Sequence, residues 1–159
     1  MKAIIIALML LTAATIAADD NKTEAVISDS AAVIQSDSNQ VAKPDELKNG
    51  VVVYYFHGNQ RCKTCLAIES YSHSAVEANF KDELKLGQLE FLTINRDNDE
   101  NKHFNKDYEL YTSSLILVKF KDGKQTEWKN LDKVWTLKSD SAKFTEYVKT
   151  EVSSYLKAE

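Results

Sequence analysis

The sequence predicts an α/β domain built on a mixed four-stranded sheet flanked by helices. Three observations predict it. Val51-Val52-Val53-Tyr54-Tyr55-Phe56 is an unbroken β-branched and aromatic run, the pattern of a central strand covered on both faces. From about Cys62 to Phe80 the chain has no glycine or proline, and a second apolar run, Leu89 to Asn95, lies beyond it. Two strands joined through a helix pair in parallel, with a right-handed crossover. Leu115 to Phe120, Asp122-Gly123 and Gln125 to Lys129 then read as strand, hairpin turn and return strand, which adds an antiparallel edge.

Taken in order, the chain opens with Lys2, an apolar run from Ala3 to Leu11, small residues through Ala17 and Ala18, and charge from Asp19 onward. That layout predicts a signal peptide over residues 1–18, cleaved after Ala17 or Ala18. The competing reading, an uncleaved anchor, calls for about 20 apolar residues, and Thr12 and Thr15 interrupt this stretch. No cysteine stands at the cleavage point, so a lipoprotein is not indicated. Residues 19–49 are rich in Asp, Ser, Asn, Lys and Ala and hold the only proline, Pro44; they read as a flexible linker. Residues 50–159 form the globular domain.

Within it, His57 to Gln60 makes a turn and a helix runs from about Cys62 to Phe80, with Leu66, Ala75, Val76 and Phe80 as its expected core contacts. Gly87 punctuates before the second strand. Asn98 to Tyr108 reads as a polar helix anchored by Phe104 and Tyr108. The last helix starts near Asp140, which can cap it, and carries Phe144, Tyr147, Val148, Val152 and Tyr155 on one stripe.

At 159 residues there is room for one domain with a real core. The net charge of −4 and the lack of a basic stripe argue against nucleic-acid binding. The two cysteines, Cys62 and Cys65, are too close in sequence to staple a fold, which directs attention to their chemistry.

The segment Arg61-Cys62-Lys63-Thr64-Cys65 follows a buried strand and opens a helix. A helix N-terminus carries unsatisfied N–H groups and a partial positive charge, so a thiolate at Cys62 is favoured there. Arg61 and Lys63 add positive charge on either side. Cys65 lies one turn further in, placed to attack a mixed disulfide, so Cys62 reads as nucleophile and Cys65 as resolving thiol. Two other readings stay open. One is a soft-metal module holding copper or zinc at Cys62, Cys65 and His57, although the ligand shell is incomplete. Glu69 lies one turn past Cys65, whereas His73 is about 16 Å along the helix from Cys62, too far for the same ion. The other is an idle disulfide in an accessory subunit. His57 could tune the thiolate or simply satisfy backbone, and Val134 and Trp135 read as core or as groove lining.

From Asn49 to Leu156 these residues resemble the thioredoxin-like superfamily. The run Val53 to Cys65, ending Ile68-Glu69, is similar to the small exported bacterial ArsF-type group, the nitrophenyl-compound nitroreductase subunits. The resemblance implies a thioredoxin-like sheet and thiol–disulfide exchange. No G-x-G-x-x-G follows a strand, so no flavin or nicotinamide is expected and the Cys62–Cys65 disulfide is itself the redox group. The chain departs from the superfamily pattern at three places. Ser113 stands where a cis-proline faces the cysteines, and a trans peptide is expected there because a cis bond without proline costs about 3 kcal/mol. Phe56 stands where a buried acid assists the resolving cysteine, a part Glu69 could take over. Lys63-Thr64 replaces Gly-Pro, which lowers the pKa expected for Cys62 and moves the pair toward oxidant or isomerase behaviour. The expected product is a monomeric, periplasmic or secreted thiol–disulfide oxidoreductase acting on protein thiols and disulfides. A membrane thiol transporter is a candidate partner; nucleic acid and, once the leader is removed, membrane are not expected.

Overall fold

A strand with apolar side chains on both faces has to be covered on both, and β1 (Gly50–His57) holds the inner position this demands. The computed structural model describes residues 47–157; the expected leader and nearly all of the expected linker lie outside them. The sheet order is β2-β1-β3-β4, with β2 at Leu89–Asn95, β3 at Ser114–Lys121 and β4 at Lys124–Asn130. β1 runs parallel to β2 in the register Val51↔Leu89 and antiparallel to β3 in the register Val53↔Leu117. β4 returns antiparallel to β3 through a turn in which Asp122 and Gly123 have φ of 53° and 73°. Both angles are left-handed, the conformation that an Asp-Gly hairpin supplies. Strand order, pairing and helix placement make this a thioredoxin-like α/β fold.

Alternation along β1 splits the interior in two. Val51, Val53 and Tyr55 face α1 (Lys63–Asn79) and α5 (Ser141–Lys157), where Ile68, Ala75, Val76, Phe144, Val148 and Val152 close a core. Val52, Tyr54 and Phe56 face the other way and join Ile94, Phe104, Tyr108, Leu110, Ile116 and Val118. α5 is capped as expected: Asp140 Oδ1 accepts from Lys143 N at 3.1 Å, which holds its carboxyl below the usual carboxylate range. Its stripe of Phe144, Val148, Val152 and Tyr155 is buried, with Tyr147 half-buried beside it.

Two expectations change, those on Leu66 and on the helix over Asn98 to Tyr108, and two others are sharpened. Leu66 is 47 % exposed, because the inward face of α1 is set by Cys65, Ile68, Ser72, Ala75 and Val76, and Leu66 falls a step out of that phase. The long helix ends at Asn79; Phe80 leaves helical geometry to reach the core, and a short α2 (Lys81–Lys85) follows. The helix expected over Asn98 to Tyr108 is a 3₁₀ turn at Asp99–Asn101 and a single turn, α3 (Phe104–Asp107). Asparagines break it: Asn101 donates to the Asn95 carbonyl at 2.9 Å, and Asn105 donates to the Arg96 carbonyl at 3.1 Å while accepting from the Arg96 guanidinium. Such side chains offer the backbone alternatives to its own ladder. The apolar anchors Phe104 and Tyr108 are nevertheless buried. Finally, Val134 and Trp135 belong to a short α4 (Val134–Leu137), with Val134 in the core.

Lys48 and Asn49 are tied to the hairpin: Gly123 N donates to the Lys48 carbonyl at 2.8 Å and Asp122 N to Asn49 Oδ1 at 3.0 Å. Among the described residues no helix is long and apolar enough to cross a membrane.

The phase of α1 and the stripe of α5 predict opposite outcomes for two truncations. Phe144→Ala should lower the unfolding free energy by about 3–5 kcal/mol. Leu66→Ala should cost less than about 1 kcal/mol, since its side chain sits at the surface. Urea titrations of the two variants check both values.

Candidate redox site

β1 delivers the chain to its C-terminal end at His57, and after five intervening residues α1 begins at Lys63. Cys62 is its N-cap, with extended backbone at φ −78° and ψ 160°, and its Sγ accepts from Cys65 N at 3.1 Å. A side-chain acceptor at this position satisfies one of the orphan N–H groups of the first turn. The same N–H would stabilise negative charge on the sulfur. Cys62 and Cys65 are joined as a disulfide, with Cα atoms 5.1 Å apart. Cys62 is exposed, whereas Cys65 is 7 % exposed. Attack from outside therefore meets position 62 first.

The charged neighbours are arranged differently from the expectation. Arg61 forms an ion pair with Glu69, both side chains partly buried against α1. Glu69 thus offsets the positive charge that Arg61 would otherwise bring to Cys62. Lys63, the first helical residue, is exposed. His57 is half-buried, with Nδ1 2.9 Å from the Gly58 carbonyl. Since a carbonyl only accepts, Nδ1 carries the proton and Nε2 is left as the acceptor. Desolvation pushes its pKa below the ordinary 6.5; the Gly58 carbonyl pulls it up, Arg61 pushes it down, and Asp97 opposes Arg61. Among the described residues no group of three or more His, Cys, Asp or Glu stands together as a metal-binding cluster while Cys62 and Cys65 are joined as a disulfide.

Phe56, at the position of the missing acid, points into the core on the far side of the sheet from α1. The residue on the cysteine side is Tyr55. Its hydroxyl donates to the Cys65 carbonyl at 2.6 Å and is hydrogen-bonded to the Ser113 side chain. Ser113 is 7 % exposed, and its carbonyl accepts from Trp135 Nε1 at 3.1 Å. Burial raises the Tyr55 pKa, which the Ser113 hydrogen bond and Arg61 partly offset, so the phenol is neutral at physiological pH. Sequence reasoning missed Tyr55 and the part played by Trp135. The available signal was a phenol inside a strand buried on both faces, because a hydroxyl placed there needs a partner.

Asp97 was missed as well. Its Oδ2 accepts from Asn59 N at 2.8 Å, Asn95 Nδ2 donates to Asn59 Oδ1 at 2.8 Å, and Arg96 N donates to the His57 carbonyl at 2.8 Å. These bonds tie the loop before the cysteines to the end of β2. A Cβ at Gly58 would meet Asp97 Oδ2 at 2.8 Å, so a side chain there would push the Asp97 carboxylate aside. An open groove of about 450 Å³ lies alongside, lined by residues 58–60, Cys65, Arg96, Asp97 and residues 111–113. Tyr111 stands at its wall, 90 % exposed.

Two predictions follow from this electrostatic arrangement. Glu69→Gln frees the Arg61 charge, so the pH midpoint for alkylation of Cys62 in the reduced protein should fall by about half a unit; an unchanged midpoint would mean the Arg61 charge does not reach the sulfur. His57 titrates lower in the folded chain than in the unfolded one. The unfolded chain therefore binds the extra proton, and stability present above the ordinary value of 6.5 is lost as pH falls from there toward the folded value. His57→Gln should flatten that loss in denaturant midpoints compared at about pH 5 and about pH 7.5.

No family model matches the chain, and no curated protein matches it. Among solved structures, it is similar to Fasciola hepatica thioredoxin at 18% identity, over 67% of this chain and 85% of that one, with a TM-score of 0.40. It is also similar to Chlamydomonas reinhardtii thioredoxin f2 at 15% identity, over 59% of this chain and 81% of that one, with a TM-score of 0.35.

Proposed function

We propose that this domain is an exported thiol–disulfide oxidoreductase whose substrates are cysteines of other proteins. One observation carries the reading: an exposed Cys62 caps a helix N-terminus and shares a disulfide with a buried Cys65 one turn on. The exposed sulfur can be reached by a partner, the helix start favours its thiolate, and the buried sulfur is held where it can displace that partner.

In the reducing direction, Cys62 thiolate attacks one sulfur of a partner disulfide. A mixed disulfide forms and the partner's other sulfur leaves as a thiolate. Cys65 then loses its proton and attacks Cys62 Sγ, the mixed bond breaks, and the second partner sulfur is released. The partner has gained two electrons, and Cys62–Cys65 is again a disulfide. Each step is reversible, so the same residues can oxidise a partner dithiol. The groove beside the pair gives an extended partner segment a place to lie.

Export to a periplasmic or extracellular space is part of this proposal. It is supported by the leader pattern over residues 1–18 and by the resemblance to the exported ArsF-type group. Exchange with a membrane thiol transporter would return the pair to its reduced form.

Cys65→Ser should accumulate mixed disulfides between Cys62 and specific proteins, released by reductant and identified by mass. Cys62→Ser should form none. A Cys65→Ser protein that captures nothing when expressed in its own compartment, although Cys62 remains alkylable, would overturn the reading.

A further inference from the structure

Three segments of the chain converge beneath Cys65. Trp135 of α4 donates its indole N–H to the Ser113 carbonyl at 3.1 Å, and the Ser113 and Tyr55 hydroxyls are hydrogen-bonded. Tyr55 of β1 in turn donates to the Cys65 carbonyl at 2.6 Å. A phenol has one hydrogen, and Tyr55 gives it to Cys65; the Ser113 hydroxyl must therefore donate to the Tyr55 oxygen. Two donors thus run one way, from the Ser113 hydroxyl at the groove through Tyr55 to the Cys65 carbonyl, while Trp135 holds the Ser113 backbone. Tyr55 is fully buried, so no water competes for these bonds.

We infer that Tyr55 is a positioning residue for the resolving half of the exchange: its uncharged hydroxyl fixes Cys65 relative to Ser113 and directs a bond dipole at the resolving residue. This rests on the exchange reading above. It concerns one step of it, the attack of Cys65 on the mixed disulfide. That step needs the Cys65 sulfur aligned with the bond it breaks, and it needs the sulfur to lose a proton. A donor on the Cys65 carbonyl favours the first by fixing the backbone that carries the sulfur, and the second by offsetting the negative end of that carbonyl, which would oppose charge on the sulfur. Cys62 makes neither of the two Tyr55 bonds, so the first attack does not depend on them.

The reduced full chain with an aromatic disulfide reagent, 5,5′-dithiobis(2-nitrobenzoate), separates the two steps. Attack by Cys62 releases one coloured thiolate; attack by Cys65 then releases the second, together with a proton, and closes Cys62–Cys65. Tyr55→Phe keeps the ring and removes the hydroxyl. The first release should be unchanged and the second about fivefold slower, the effect of losing one buried hydrogen bond. The pH midpoint of the second release should also move upward, which a purely packing role would not produce. Ser113→Ala, which leaves the strand intact, should slow the same release in the same direction. A Tyr55→Phe protein whose second release keeps its wild-type rate and midpoint overturns the inference, as does equal slowing of both releases. A wild-type protein that releases only one thiolate overturns the exchange reading, and the inference with it.

Discussion

The start of α1 is pinned to the end of β1, and the site depends on that junction. β1 is an inner strand, buried on both faces and paired on both edges, so its position is among the most constrained in the molecule. α1 leaves from its end with the N-terminus open to solvent. Hydrogen bonds hold the junction at two places. Tyr55 holds Cys65, one turn into the helix, through its carbonyl, and leaves the entry of the chain at Cys62 to the second set. Asp97, Asn95 and Arg96 hold the preceding loop from the side. The helix N-terminus is useful to a thiolate only if its direction is kept, because its orphan N–H groups act over a single turn.

The charges around the pair are more balanced than their spacing in the chain implies. Arg61, next to the exposed cysteine, is engaged by Glu69 from the next turns of α1. His57 is held below its ordinary pKa by burial, so it contributes an uncharged ring at neutral pH. Tyr55 is likewise neutral. The first turn of α1 carries no acidic residue, so nothing in it opposes a thiolate at the cap. What remains to stabilise negative charge on Cys62 is the backbone itself, through Cys65 N and the helix start, with Lys63 exposed alongside. Field from oriented N–H groups is less sensitive to salt than field from surface side chains.

The segment from Asn95 to Ser113 shows how loops acquire function on a rigid frame. Its asparagines divert hydrogen bonds from a continuous helix and use them to hold Arg96, whose guanidinium reaches Asn105 Oδ1 at 2.8 Å and the carbonyls of Leu110 and Tyr111. Glu109 takes a left-handed φ of 52° just before, which turns the chain back toward the cysteines. Tyr111 stays exposed and Ser113 is drawn under Cys65 by Tyr55 and Trp135. The same polar side chains that end the helix early shape one wall of the groove.

From the chain alone came the long apolar run of β1, the two-residue hairpin signal at Asp122-Gly123, the capped amphipathic α5 and the placement of Cys62 ahead of a helix. Each is a local pattern, carried by residues within one element, where side-chain period and turn chemistry suffice. Tertiary structure decided the rest. Leu66 or Ile68 facing inward depended on where α1 meets the sheet. Glu69 pairing with Arg61, Tyr55 reaching Cys65, and Asp97 and Trp135 arriving at the site all join residues that sequence does not make neighbours. An acid or a phenol carries no mark of its partner until the backbone brings the two within hydrogen-bonding reach, and that distance is a property of packing.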